Sequence, residues 1–108
     1  MNFKLRLRKA GTTPILMIFG DVTGGNVGKI TVKLESMLKA SSEKVAIDLS
    51  KTTFIDSHGL GVFVFFFRRL SDENRQLIFL KPSEFIKDLF SGSNLDKIFT
   101  ILDDEETL

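Results

Sequence analysis

The chain has 108 residues, 43% of them apolar and 27% charged, with a formal net charge of +1. That is the size of one compact domain with a single core, and the near-neutral balance gives no pull towards nucleic acid or an anionic membrane. Cysteine is absent and histidine occurs once, as His58, which removes disulfides, thiolate zinc sites, thiol nucleophiles and His-cluster metal sites; no cofactor is expected, and the cysteine usage fits a reducing cytoplasm.

At the start of the chain Phe3, Leu5 and Leu7 alternate with Lys4, Arg6 and Arg8. Period two predicts a half-buried strand with one basic face. With so little net charge, that face reads as a solvated edge that discourages edge pairing, ahead of an anion-binding surface. No apolar leader follows it. Gly11-Thr12-Thr13-Pro14 marks a turn. Residues 15–19 are continuously apolar, as in a strand covered on both faces.

Residues 20–28 form a glycine-rich loop. Beyond it Ile30, Leu34, Met37 and Leu38 recur at helical spacing. Residues 45–49 and 77–80 are short apolar strands. Pro82-Ser83-Glu84 opens a helix with Phe85, Ile86, Leu89 and Phe90 expected on one face. Residues 98–102 read as a last strand. The acidic residues 103–106 are expected to be a solvated, frayed tail.

Residues 57–70 are ambiguous. Val62, Phe63, Val64, Phe65, Phe66 and Phe67 all favour strands. Two features outweigh that preference. Asp56 and Ser57 supply N-cap chemistry in front of the run. Arg68 and Arg69 close it with cations where a helix dipole favours them. The reading is a helix, with Phe63, Phe66, Phe67 and Leu70 in the core and Phe65 off that face, buried against a neighbouring helix ahead of the alternative, a hydrophobic contact for a partner. At six residues, the run 62–67 is far short of the roughly 20 needed to cross a bilayer, so no membrane insertion is expected.

The resulting alternation, β-β-α-β-α-β-α-β, predicts one α/β domain. Its sheet should be mixed and mostly parallel, of about five strands with three to four helices packed on it.

Enzyme chemistry finds little support. Residues 24–29, Gly-Gly-Asn-Val-Gly-Lys, resemble a phosphate cradle, but Thr23 stands where a P-loop needs its first glycine. Ile30 stands where it needs Ser or Thr. Ser57 and His58 are neighbours and would point about 100° apart on a helix, so they cannot pair as nucleophile and base.

The most informative stretch is Phe54-Ile55-Asp56-Ser57-His58-Gly59-Leu60-Gly61. It places a small hydroxyl where a loop leaving a strand enters a helix. Gly59 and Gly61 are expected to leave that first turn bare, so that another protein can approach its backbone closely.

These residues resemble the STAS domain family, and within it the bacterial anti-sigma factor antagonists. The likeness runs from about residue 17 to 100 through Phe19-Gly20-Asp21-Val22, Ile47-Asp48-Leu49, the Asp56-Ser57-His58-Gly59-Leu60-Gly61 motif, Leu89-Phe90 and Ser93-Asn94-Leu95. It implies a partner switch. The unmodified domain binds an anti-sigma factor, itself an ATP-dependent serine kinase, and so frees a sigma factor. The kinase phosphorylates Ser57, and a phosphatase reverses it. Asp21, Thr23, Asp56, Ser57, His58, Gly59, Leu60 and Gly61 are the partner-binding residues this likeness implies. His58 departs from the family's usual Ser or Thr and could alter kinase recognition or make binding pH-sensitive near its reference value of about 6.5. Thr23 stands where Asp is frequent. The alternatives are an unphosphorylated STAS subunit of a transporter or lipid-transport complex, and a sensor binding a small ligand or nucleotide at residues 20–28.

Overall fold

The computed structural model describes residues 2–108. Five strands form one sheet in the order β1-β2-β3-β4-β5: β1 Lys4–Ala10, β2 Thr13–Phe19, β3 Lys44–Asp48, β4 Gln76–Leu80 and β5 Thr100–Leu102. The β1–β2 hairpin is antiparallel and the other three pairings are parallel. Gly11, at φ +60°, turns the hairpin, a conformation glycine adopts without steric cost. Three α-helices link the parallel strands: α1 Val27–Leu38, α2 Ser57–Asp72 and α3 Glu84–Gly92. The mixed, mostly parallel sheet matches the sequence reading.

Side chains alternate across a strand, and here the alternation divides the core. Leu16, Ile18, Val45, Ile47, Leu77 and Phe79 join Ile30, Leu34, Phe63, Phe66, Leu70, Ile86 and Phe90 in the main core, under the helices. Their immediate neighbours Ile15, Ala46 and Ile78, with Leu80, form a second cluster on the other face. Because both faces are buried, β2 to β4 carry continuous apolar runs.

The Phe-rich segment is a helix, as the capping residues required. Its strand-like composition is absorbed by stacking. Phe63 packs on Phe79 at 5.1 Å, and Phe67 on Phe99 at 5.6 Å. Phe79, Phe90 and Phe99 complete the cluster, at centroid separations of 4.5 to 5.5 Å, where offset and edge contacts are favourable.

Helix α1 has no glycine cap. Arg75 reaches over from the α2–β4 turn and donates to the carbonyls of Leu38, Ala40 and Ser42 at 3.2, 2.9 and 2.8 Å, serving one orphan acceptor of the helix end and two of the loop that follows it.

Four expectations need correction. Phe65 is 58% exposed and Phe85 53% exposed. The core-facing stripe of α3 is narrower than the sequence suggested, so Phe85 faces out, while Phe65 lies off the α2 stripe as expected but is exposed instead of covered by a neighbouring helix. The acidic residues 103–106 are not a frayed tail. The chain turns after Leu102 through a short 3-10 segment, Glu105–Thr107, and Leu108 packs against the second cluster. Nor is the basic face of β1 simply solvated. Arg8 pairs with Asp48 and Glu105, while Lys4 and Arg6 lie over the Phe19 ring at 4.7 and 5.8 Å, within cation–π range.

Candidate functional site

Two loops meet at the C-terminal ends of the parallel strands. One leaves β2 (residues 20–26), and the other leaves β3 (residues 49–56). Backbone bonds knit them together: Gly20 N to Lys51 O at 3.0 Å, Val22 N to Phe54 O at 2.8 Å, and Asp56 N to Val22 O at 2.9 Å. Val22 and Ile55 form an isolated parallel bridge, in effect one extra rung of sheet. Buried Thr52 donates to the carbonyl of Ile18. Thr53 donates to the carboxylate of Asp21. The strand-to-helix turn that carries the motif is therefore pinned from both sides.

Asp56 is the N-cap of α2. Its Oδ1 accepts from Gly59 N at 2.9 Å, and its Oδ2 accepts from Gly24 N at 3.0 Å. One carboxylate thus satisfies an orphan helix N–H and ties the two loops to each other. The Gly59 N–H holds the Asp56 carboxyl below the usual carboxylate range; desolvation opposes it, and the Gly24 N–H adds a smaller push in the same direction as Gly59. Donors to the charged form favour it.

With Asp56 as the cap, Ser57 becomes the first residue of α2, not the cap itself. Its side chain is exposed, and the capping bond from Gly59 N goes to Asp56 rather than to the Ser57 hydroxyl. His58 is also exposed. Its ring lies on Gly24, and its Nδ1 sits 3.9 Å from Asp56 Oδ2.

Gly59 does not serve surface access. It is buried, and a Cβ there would come within 2.6 Å of Val22 Cγ1, 2.8 Å of Ile55 Cγ2 and 2.9 Å of Val22 O. The glycine lets the first turn of α2 press against its own domain. Gly61, by contrast, is exposed with open space before it. Leu60 is half-buried against the main core. Asp21 is exposed and Thr23 half-buried. Of the eight residues the family likeness implies for partner binding, Asp21, Ser57, His58 and Gly61 are exposed, Thr23, Asp56 and Leu60 half-buried, and Gly59 buried.

The glycine-rich loop spends its polar groups internally. The Gly24 N–H goes to Asp56. The carbonyl of Thr23 takes the N–H groups of Asn26 and Val27, and Asn26 Nδ2 donates to Asp21 O. Among the described residues no group of three or more His, Asp or Glu converges as a metal site.

Two features lay outside the sequence reading. Gly24 holds the Asp56 carboxylate through a backbone group, which leaves no trace in side-chain identity. Phe54 and Phe85, 40% and 53% exposed, meet at 6.2 Å beside the motif. The aromatic residues themselves are the only trace in the sequence, where helical spacing points Phe85 inward.

The STAS domain family model matches residues 4–108. The chain belongs to the STAS domain family. The anti-sigma-B factor antagonist of Listeria monocytogenes is 28% identical over 102 residues, covering 94% of this chain and 90% of that protein. Among solved structures, the anti-sigma factor antagonist SpoIIAA in its unphosphorylated form aligns with a TM-score of 0.72 at 20% identity, over 98% of this chain and 92% of its own. The Bacillus cell fate determinant SpoIIAA in its phosphorylated form aligns with a TM-score of 0.71 at 22% identity, over 98% and 96%. These two likenesses establish a shared STAS fold. No described helix is long and apolar enough to cross a membrane.

Proposed function

We propose that this STAS domain is an anti-sigma factor antagonist. It binds an anti-sigma factor serine kinase while Ser57 is unmodified and releases it when Ser57 carries phosphate. A phosphatase acting on phospho-Ser57 restores binding, and sigma-factor-dependent transcription follows the unmodified form.

The single observation that carries this reading is the position of the Ser57 hydroxyl. It is exposed, spared the capping role that Asp56 fills, and set on the first residue of α2 beside a fixed carboxylate. The names of the Listeria relative and of SpoIIAA, one structure of which is a phosphorylated form, support the same role.

The physics of the switch is local. Phosphate brings about −1.5 to −2 charges at pH 7. A helix N-terminus tolerates an anion through its dipole and free N–H groups, so the domain stays folded. A partner closing over Ser57 would meet that charge together with Asp56, and would have to desolvate both. Binding fails while the fold survives.

The test joins two measurements. Phosphopeptide mapping of the full chain recovered from its native cells should find phosphate on Ser57. Calorimetry with the cognate anti-sigma kinase should give an affinity at least about a hundredfold lower for Ser57→Asp than for wild type, with unchanged circular dichroism. Absence of phosphate on Ser57, with equal affinity for both forms, would overturn the proposal.

A further inference from the structure

On the sheet face opposite the helices, Ala10, Leu102 and Leu108 pack over a small apolar cluster, and the segment 103–108 brings Leu108 there. Beneath them lie Ile15, Ala46 and Leu80, each fully buried, and Ile78 at 2% exposure. The cover is held by side chains. Glu105 accepts from Arg8 at 2.6 and 2.8 Å and from Lys81 at 3.2 Å. Asp103 pairs with Lys87 at 2.9 Å, and Leu108 rests on the apolar cluster. Backbone bonds of this segment stay within it: Thr107 N to Asp104 O and Leu108 N to Glu105 O. The last backbone tie to the sheet is Lys81 N to Leu102 O, at 2.8 Å.

We propose that residues 103–108 are a latched strap, closed by Glu105 and Leu108, that opens as a unit while the rest of the domain stays folded. Three observations carry this. The attachments are side-chain contacts, several of them part-exposed, the kind that break at low local cost. Arg8 donates through Nη2 to Asp48 Oδ2 at 3.0 Å as well as to Glu105, and Asp48 Oδ1 accepts from Ser50 N. Opening therefore leaves the fully buried Asp48 paired, and avoids the heavy penalty of an orphaned interior charge. The main core lies wholly on the other side of the sheet, so its packing does not depend on the strap. An open strap presents an apolar band on the sheet face turned away from α2, a surface independent of Ser57.

The natural absence of cysteine permits a direct test in the full chain. Ala46→Cys puts a thiol under the strap, and Ile47→Cys puts one under the helices. The thiol at position 46 should react with iodoacetamide at least about tenfold faster than the one at 47. Adding Glu105→Gln should speed position 46 about fivefold more than it speeds 47. In parallel, hydrogen exchange of the cysteine-free chain should show Glu105→Gln accelerating residues 103–108 by a larger factor than β3, which feels only the loss of global stability. Equal rates at 46 and 47, strap and β3 losing protection by the same factor, or no response to Glu105→Gln would overturn the proposal.

Discussion

Gly59 and Gly61 stand two positions apart on α2 and face opposite environments. Position 59 has no room for a methyl group, and one of the blocking atoms is the backbone oxygen of Val22. Gly59→Ala should destabilise the domain by about 1–3 kcal/mol, the usual range for overpacking. Gly61→Ala meets nothing within 4 Å and should stabilise by about 0.5–1 kcal/mol, through helix propensity and a less flexible unfolded chain. Urea denaturation of the two variants checks both signs. Ser57 behaves differently again. Because Asp56 is the cap, Ser57→Ala should shift stability by no more than about 0.5 kcal/mol, whereas Asp56→Ala should lower the melting temperature. A large loss from Ser57→Ala would mean the hydroxyl is structural. The sequence marked Asp56-Ser57 as cap chemistry but left open which residue capped; the Gly59 N–H, three residues after Asp56, decides that, and its position depends on the loop's path.

At the scale of the element, α2 shows where composition misleads. Six successive β-favouring residues, Val62 to Phe67, are helical because each turn finds tertiary contacts that outweigh propensity. The cap in front and the arginines behind were legible in the sequence. The core face of α2 was legible too, but the exposure of Phe65 beside it was not. Phe66 is 1% exposed and Phe65 58% exposed, although they are adjacent and chemically identical. Phe66→Ala should cost about 3–5 kcal/mol. Phe65→Ala should cost less than about 1 kcal/mol, limited to its edge-on contact with Phe66 at 5.2 Å. Chemical denaturation distinguishes the two, and equal losses would refute the assignment of faces. A related limitation put Phe85 inward in the sequence reading, since periodicity gives the direction of a helical stripe more firmly than its breadth.

For the whole molecule, the charged contacts that close the far side of the sheet set an acid limit. The Arg8 guanidinium, aided by Lys81, holds the Glu105 carboxyl down to about 2 from an ordinary 4.5. A depressed carboxyl stabilises the fold fully above its unfolded value and loses that contribution as pH falls through the folded one. The melting temperature of wild type should therefore exceed that of Glu105→Gln between about pH 5 and 7, and the gap should close on approach to pH 2. Thermal melts across that range provide the check; a gap independent of pH would remove the ion pair as its source. Asp56 is shifted in the same direction and adds to the acid sensitivity of both proteins.

Local signals were enough to determine the order of elements, the parallel character of the sheet and the placement of Ser57 at the mouth of a helix. Hydrophobic period, turn residues and capping chemistry are carried by neighbours along the chain. Contacts between distant segments had to be supplied by the tertiary structure: Gly24 on Asp56, Gly59 against Val22, Glu105 on Arg8 across 97 positions. Each depends on where two separate loops or strands arrive in space. A glycine read as open surface thus proved to be a packing requirement, and an acidic tail read as solvent-borne proved to be the cover of a sheet.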